Sequence, residues 1–230
     1  MTAISSKNIF LAIAFIFCFF HGMALASAAE TQSVAGLKSG TIAVMPFFTG
    51  EYSTEIEKGR PPLQFKFDQI AAEDGDRYSN GEKVLTKLMY EALQKKLAQQ
   101  LIPRDVVQSD FENISMDSLS DTPLAVAVRL GKKLQADYVV VGIVWEYKAR
   151  VGSKLAADNP ASVSFSAFLV DVAAAKRIWR EKFTKKQQSL SDNLLNATEF
   201  FKQGAKWLTA EELAKYGIKK VLVSFPLGNK

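Results

Sequence analysis

The apolar positions of the chain change their period several times, and these changes predict where strands and helices lie. Residues 138–145 form a continuous, β-branched apolar run, which is typical of a strand covered on both faces of a sheet. Residues 162–172 and 176–185 alternate between apolar and polar side chains and are joined by three alanines, which predicts an antiparallel meander with the first run. A shorter apolar run at 41–48 predicts an opening strand.

Apolar residues at three- and four-residue steps predict helices. The segments with this pattern lie at about 80–97, 121–134, 191–203 and 210–222. A cap at Ser79 or Asn80 starts the first helix, and the pattern Thr209-x-x-Glu212 opens the last one as a capping box. Each of these helices is amphipathic, so each is expected to pack one face against the sheet.

The segments between these elements complete the predicted topology. Residues 101–107 predict a further strand despite Pro103, and residues 63–70 alternate enough to predict a small extra strand inside a long polar loop at 49–79. The order is then β-α-β-α-β-β-β-α-α. No boundary divides this series of elements, so we expect one mixed α/β (α+β) domain at 41–226, with a sheet of about five strands flanked by helices. The residues before it, 29–40, are expected to form a flexible leader.

The first 28 residues have the pattern of a cleavable export signal. Lys7 is the only charge among them, residues 9–20 are twelve consecutive apolar residues, and small residues follow. A membrane anchor is the alternative, but such a helix rises only about 18 Å against a hydrocarbon core of roughly 30 Å. We therefore expect cleavage between Ala26 and Ala29 and a periplasmic mature chain that has no transmembrane helix.

Composition limits the chemistry of the mature chain. The full sequence has 48% hydrophobic residues, 29 Lys plus Arg and 24 Asp plus Glu, which is an ordinary globular composition. Its one cysteine and one histidine are Cys18 and His21, and both lie inside the predicted signal. Once the signal is removed, a disulfide, a Cys/His metal site and His-based catalysis are impossible. We therefore predict that the protein is not an enzyme.

Carboxylates are the remaining candidate chemistry. The densest acidic cluster comprises Glu73, Asp74, Asp76 and Glu82. Two carboxylates from this cluster could hydrolyse glycosides as a general acid and a base or nucleophile. Asp74-Gly75-Asp76 also begins like a calcium-binding loop, but Tyr78 and Ser79 occupy the positions where such a loop has Asp or Asn and then Gly. A solvated turn before a helix N-terminus explains the acids better. The chain also lacks GxGxxG and GxxxxGK[ST]. We assign no catalytic, cofactor-binding or metal residues and no cofactor.

The strongest basic run lies near the end of the predicted meander. It comprises Lys176, Arg177, Arg180, Lys182, Lys185 and Lys186. A strand would place Arg180 and Lys182 on one face and point Trp179 and Phe183 inward. Two interpretations stay open: a surface for an anionic partner other than nucleic acid, or a charged edge that resists sheet-to-sheet aggregation. Trp145, like the other two tryptophans, is expected to serve the core rather than a ligand.

Several short segments together resemble a known family. They are TIAVMPF at 41–47, LGKKLQADYVVVG at 130–142, FLVDV at 168–172 and Ile178-Trp179. In these segments the chain resembles the CsgG-like envelope proteins, a group that includes the curli secretion lipoprotein, the LpoB-type activators of penicillin-binding proteins and the amino-terminal domain of TolB. The resemblance extends over roughly residues 40–225.

This resemblance implies a non-enzymatic scaffold or interaction protein of the Gram-negative envelope that binds an envelope protein, such as peptidoglycan-synthesis or secretion machinery. The acylated cysteine of many relatives is missing, so association with the outer membrane or peptidoglycan stays open. The oligomeric state also stays open. One alternative is a secreted hydrolase that uses the loop carboxylates. Another is an oligomeric outer-membrane secretion component, which Lys148, Arg150 and Lys154 disfavour at about 2 to 4 kcal/mol per lipid-facing basic residue.

Overall fold

The computed structural model describes most of the chain after its first 38 residues. The described residues are 39–51, 56, 59, 61–70, 80–114, 116–117, 119–152, 157–187 and 207–226. The predicted signal peptide, nearly all of the predicted leader and the predicted helix at 191–203 lie outside these ranges, so they stay predictions. Everything below concerns the described residues.

A mixed sheet forms the centre of the domain. The strands are β1 (Ile42–Val44), β2 (Phe48–Thr49), β3 (Tyr138–Lys148), β4 (Val151–Gly152), β5 (Ala157–Asn159), β6 (Ser162–Asp171) and β7 (Lys176–Lys186). Five of the described strands make one sheet in the order β1-β3-β6-β7, with β2 also pairing with β3, whereas β4 and β5 pair only with each other. β1 and β2 run parallel to β3, and β6 and β7 continue antiparallel.

Helices cover both faces of this sheet. They are α1 (Phe67–Ile70), α2 (Gly81–Leu97), α3 (Arg104–Glu112), α4 (Pro123–Lys133) and α5 (Ala210–Val221), and 3-10 turns lie at Pro62–Gln64 and Leu222–Ser224. Apolar residues of α2 and α5 form one buried cluster with one face of the sheet. Apolar residues of α1, α3 and α4 form a second cluster on the opposite face. The predicted mixed α+β single domain is confirmed.

The central strand β3 is in close contact with the residues that pack on it. Its residues from Tyr138 to Val144 are buried, as the continuous apolar run predicts. At Gly142, an added Cβ would lie 2.2 Å from ring carbons of Phe47. Only the absence of a side chain at Gly142 lets the Phe47 ring pack directly on the strand. The glycine therefore fixes the position of the loop between β1 and β2.

Most predicted elements are confirmed. The meander is present as β3, β6 and β7, and α2, α4 and α5 lie where the helical spacing placed them. The capping box at α5 is complete: the Thr209 hydroxyl accepts from the Glu212 amide at 3.1 Å, and the Glu212 carboxylate accepts from the Thr209 amide at 2.9 Å. Asn80 precedes α2, but it caps without a side-chain hydrogen bond and has φ 62°.

Two predicted strands are wrong. At 101–107, Leu101 makes a single parallel bridge with Ile42, and the chain turns helical at Arg104 because Pro103 stands just before the first turn. At 63–70, the adjacent Pro61 and Pro62 start a 3-10 turn that is followed by the short helix α1.

The two ends of the undescribed segment 188–206 are joined by hydrogen bonds. The buried Gln187 side chain accepts from the Leu208 amide at 2.7 Å, while the Gln187 amide donates to the Ala161 carbonyl at 3.1 Å. The Arg150 guanidinium also donates to the Trp207 carbonyl. These hydrogen bonds hold the end of β7 next to the residues that lead into α5, and we call them the Gln187 clasp.

Candidate functional site

The acidic cluster singled out in the sequence is mostly outside the described residues. Glu82 lies in the first turn of α2, where a carboxylate is favoured by the helix dipole, whereas the other three acids precede residue 80. Within the described ranges, no three His, Cys, Asp or Glu side chains come close enough to hold a metal ion. The use of the loop carboxylates for hydrolysis stays a prediction.

The perturbed titratable groups have structural explanations. Burial, with a smaller effect from the Glu211 charge, raises the pKa of Tyr147 to about 12. This phenol therefore stays protonated at neutral pH. Hydrogen bonds from Arg129, at 2.7 Å to each carboxylate oxygen, and from the Asp117 amide lower the pKa of Asp121 below its usual 3.8. Both shifts move the groups away from neutrality, which is the opposite of what acid–base catalysis requires.

The basic run lies on β7, at the end of the sheet as the structure describes it. Arg180 and Lys182 are exposed on one face, as predicted, while Phe183 packs against α5 and Trp179 against the residues that follow it. Trp179 packs on the Phe225 ring at a centroid distance of 5.1 Å. The basic side chains spread along the strand instead of converging on a recess. The structure is therefore consistent with the interpretation as a charged edge.

Two of the three tryptophans serve the core, as predicted. Trp145 is 5% exposed and donates its indole N–H to the Ser166 hydroxyl at 2.8 Å. Trp179 is 7% exposed and donates to the Ser224 hydroxyl at 3.1 Å. Each ring is buried and its polar group has a partner, so these two tryptophans form no ligand platform.

A groove between α2 and α5 is the strongest candidate interaction site. Its cavity volume is about 220 Å³, and its lining residues are Leu88, Glu91, Ala92, Lys95, Lys96, Lys215, Ile218, Lys219 and Leu222. Leu88, Ile218 and Leu222 belong to the buried cluster beneath and form the floor with Ala92. The charged residues stand exposed around them. We call this site the α2–α5 groove.

Helix periodicity builds this groove. On α2 the lining positions recur at three- and four-residue steps from Leu88 to Lys96, a rise of about 12 Å. On α5 and the turn that follows it, the same steps run from Lys215 to Leu222. The Lys96 ammonium donates to the Leu222 carbonyl at 3.5 Å, so the C-terminal ends of the two helices meet at one end of the groove.

The charge around the groove is strongly positive. Four of its lining residues are lysines and one is a glutamate, a formal charge of 4 − 1 = +3. The glutamate, Glu91, also lies 3.9 Å from Lys87 on the same helix. An apolar floor inside a basic rim can hold an apolar group that carries or adjoins negative charge. Its ionisable side chains stand exposed on the rim, around the apolar floor.

The sequence patterns predict α2 and α5 as two separate amphipathic helices and do not indicate this groove. The available signal was the pairing of small or apolar positions such as Ala92 and Ile218 with lysines one turn away. That signal becomes a site only when two helices more than 100 residues apart are brought side by side.

Comparisons with known proteins place this chain in no family: no family model and no curated protein matches it. Solved structures do match. The PelC dodecamer from Paraburkholderia phytofirmans is 14% identical, over 84% of this chain and 91% of that chain, with a TM-score of 0.46. Lipoprotein GNA1162 from Neisseria meningitidis is 17% identical, over 72% and 97%, with a TM-score of 0.41.

The LpoB C-terminal domain from Salmonella enterica is 14% identical to this chain, over 66% of this chain and 87% of that chain, with a TM-score of 0.38. LpoB is one of the groups that the sequence segments resemble. The likeness to the curli secretion lipoprotein and to TolB stays a prediction. Because these TM-scores lie below 0.5 and the identities below 20%, no partner or activity is transferred from these structures.

Proposed function

We propose that this chain is an exported, non-enzymatic protein of the bacterial cell envelope that acts by binding another envelope component. The observation that carries the proposal is the α2–α5 groove, whose apolar floor and basic rim suit the binding of a partner. Two sequence features support it. The N-terminus has the pattern of an export signal, and the rest of the chain contains neither cysteine nor histidine.

The position relative to the membrane belongs to the same proposal. Among the described helices, none is both long and apolar enough to cross a bilayer. We propose that the signal is cleaved between Ala26 and Ala29 and that the mature chain works in the periplasm. An oligomeric secretion component and a hydrolase that uses the loop carboxylates are the alternatives, and neither has a specific supporting observation among the described residues.

The first experiment tests export. The full chain with a C-terminal tag is produced in a Gram-negative host, the periplasmic fraction is collected, and the intact mass is measured. We expect a periplasmic product that begins within the small-residue segment after Ala26. A cytoplasmic product that retains Met1 would contradict the proposal.

The second experiment tests binding in the envelope. Amine-reactive cross-linking in intact cells, followed by tag purification and mass spectrometry, should recover the tagged chain joined to a specific envelope component. A chain that cross-links only to itself would refute the binding role, and light scattering would then distinguish a closed oligomer from a monomer. The hydrolase alternative is tested by replacing Asp74 and Asp76 with Asn. If these carboxylates catalyse hydrolysis, the hydrolysis rate should fall by orders of magnitude, because a general acid or base is lost.

A further inference from the structure

We propose that the α2–α5 groove binds an acidic peptide segment of a partner protein, which inserts one apolar anchor side chain between the helices and places carboxylates against the lysine rim. This inference rests on the proposed binding function and names the chemistry of the partner. The size of the groove, the placement of its charges and its concave shape carry the argument.

The size of the groove selects a single anchor. At about 220 Å³ the cavity is below the roughly 300 to 1,000 Å³ that is typical of sites for drug-sized ligands. Its floor consists of side chains already fixed in the core, with Leu88 6% and Ile218 1% exposed. A recess of this size and rigidity accommodates one aromatic or large aliphatic side chain, which is how a helix or extended peptide is anchored in a groove.

The positions of the lysines indicate an anionic partner. Lys95 and Lys96 lie in the last turn of α2, where the helix dipole alone favours cations. Lys215 does not fit this explanation, because it lies in the middle of α5, six residues before the helix ends at Val221. Its place on the rim brings a positive charge to the other end of the groove from Lys96. Carboxylates that flank the anchor residue of a peptide would therefore meet a lysine at each end of the groove.

The shape of the groove favours a peptide over a membrane surface. The apolar atoms lie below the charged rim, whereas a membrane-bound surface must present its apolar atoms outermost to enter the acyl region. Val223, which is 74% exposed, is the one large apolar side chain that stands out next to the groove residue Leu222. One protruding valine extends the apolar contact for a peptide and is insufficient to insert into a bilayer.

The test uses the full mature chain and a displayed library of random peptides of about 12 residues, a length that spans the groove in either helical or extended form. Enriched peptides should share one aromatic or large aliphatic residue flanked by Asp or Glu. The best peptide is then labelled with fluorescein, and its affinity is measured by fluorescence anisotropy. Enrichment of basic peptides, of peptides without an apolar anchor, or of none would overturn the inference.

Matched variants locate the binding. Reversing two rim charges, Lys95→Glu with Lys219→Glu, should weaken peptide binding by about ten-fold or more, because two attractions become repulsions. Reversing two exposed lysines elsewhere, Lys132→Glu with Lys176→Glu, changes the net charge equally and should leave the affinity within about two-fold. Ala92→Phe should fill the recess and abolish binding while the rim charges remain. Equal affinity for all variants would refute the groove as the site.

Two further experiments distinguish the peptide site from a membrane surface and from the broader proposed function. Binding of the chain to phosphatidylglycerol vesicles is measured by sedimentation. If the chain binds no peptide but binds these vesicles, and the rim reversal abolishes that binding, the groove is a membrane surface and the peptide inference is overturned. The cross-linking experiment in cells is repeated with the rim variant. If the envelope component is still captured, the groove inference fails and the proposed function stands; if the wild type captures nothing, the proposed function itself fails.

Discussion

Gly217 tests how α5 is seated on the sheet. It lies in the middle of α5 and faces β7, and an added Cβ would stand 2.6 Å from the nearest ring carbon of Phe183. The half-buried Phe183 ring also contacts Phe165 at 5.6 Å and Tyr216 at 6.1 Å, measured between centroids, so a shift of the ring would disturb both contacts. Replacing Gly217 with Ala should therefore push α5 away from the sheet.

Two opposing effects set the magnitude of this change. Alanine is favoured over glycine inside a helix by about 1 kcal/mol, which would stabilise α5. Overpacking a well-packed contact costs about 1 to 3 kcal/mol, and a Cβ at 2.6 Å from this ring belongs to that class. We expect the clash to win, with a net loss of about 1 kcal/mol in the free energy of unfolding.

Urea denaturation followed by circular dichroism measures this loss. With a slope of about 2 kcal/mol per molar urea, the midpoint of Gly217→Ala should fall by about 0.5 M. In a Phe183→Leu background the ring is gone, so the same alanine should raise the midpoint instead. A Gly217→Ala variant that is more stable than the wild type would refute the close packing of α5 on β7.

Three other changes test contacts elsewhere in the fold. Thr209→Ala removes the capping-box hydroxyl of α5 and should cost about 1 kcal/mol in urea, whereas Thr209→Ser should restore most of it. Gly142→Ala places a methyl group into the Phe47 ring and should cost about 1 to 3 kcal/mol or more, seen as a lowered melting temperature. Because Arg129 lowers the pKa of Asp121 below 3.8, the ionised pair stabilises the fold above that pH and its contribution is lost as pH falls through the lowered value. The stability difference between wild type and Asp121→Asn, measured by urea unfolding across pH, should therefore be largest near neutrality and shrink in acid; a difference that does not change with pH would contradict the pairing.

The fold was predictable where burial leaves a long, regular pattern. The run at 138–145 is apolar on both sides of the strand because helices cover both faces, and that alone placed β3 at the centre of the sheet. β6 and β7 followed from alternation, and α5 from its capping box. In these elements the local pattern and the tertiary environment agree.

Short apolar segments near prolines were not predictable in the same way. At 101–107 only a few apolar side chains were available to distinguish a two-residue from a four-residue period. Pro103 decides the outcome, because it leads into a helix in which Val107 and Phe111, four residues apart, face the same cluster. At 63–70 the alternation rests on three residues, and the preceding prolines favour a tight turn instead.

The α2–α5 groove could not be predicted because its two walls are distant in the chain. Leu88 and Ala92 on α2 look like an ordinary core-facing stripe, and Lys215 and Lys219 look like an ordinary solvated face. Their meeting depends on both helices packing against the same face of the sheet. Sequence patterns report which face of each helix is buried, but not which other helix packs beside it on the same face of the sheet.

The Gln187 clasp holds the exit from β7 beside the entry to α5 through a contact between residues 187 and 208, which lie outside the segment 188–206. Closing a loop of twice the length costs only about 0.6 kcal/mol more. We therefore expect an insertion, a deletion or a fused reporter domain between residues 187 and 208 to leave both walls of the α2–α5 groove in place.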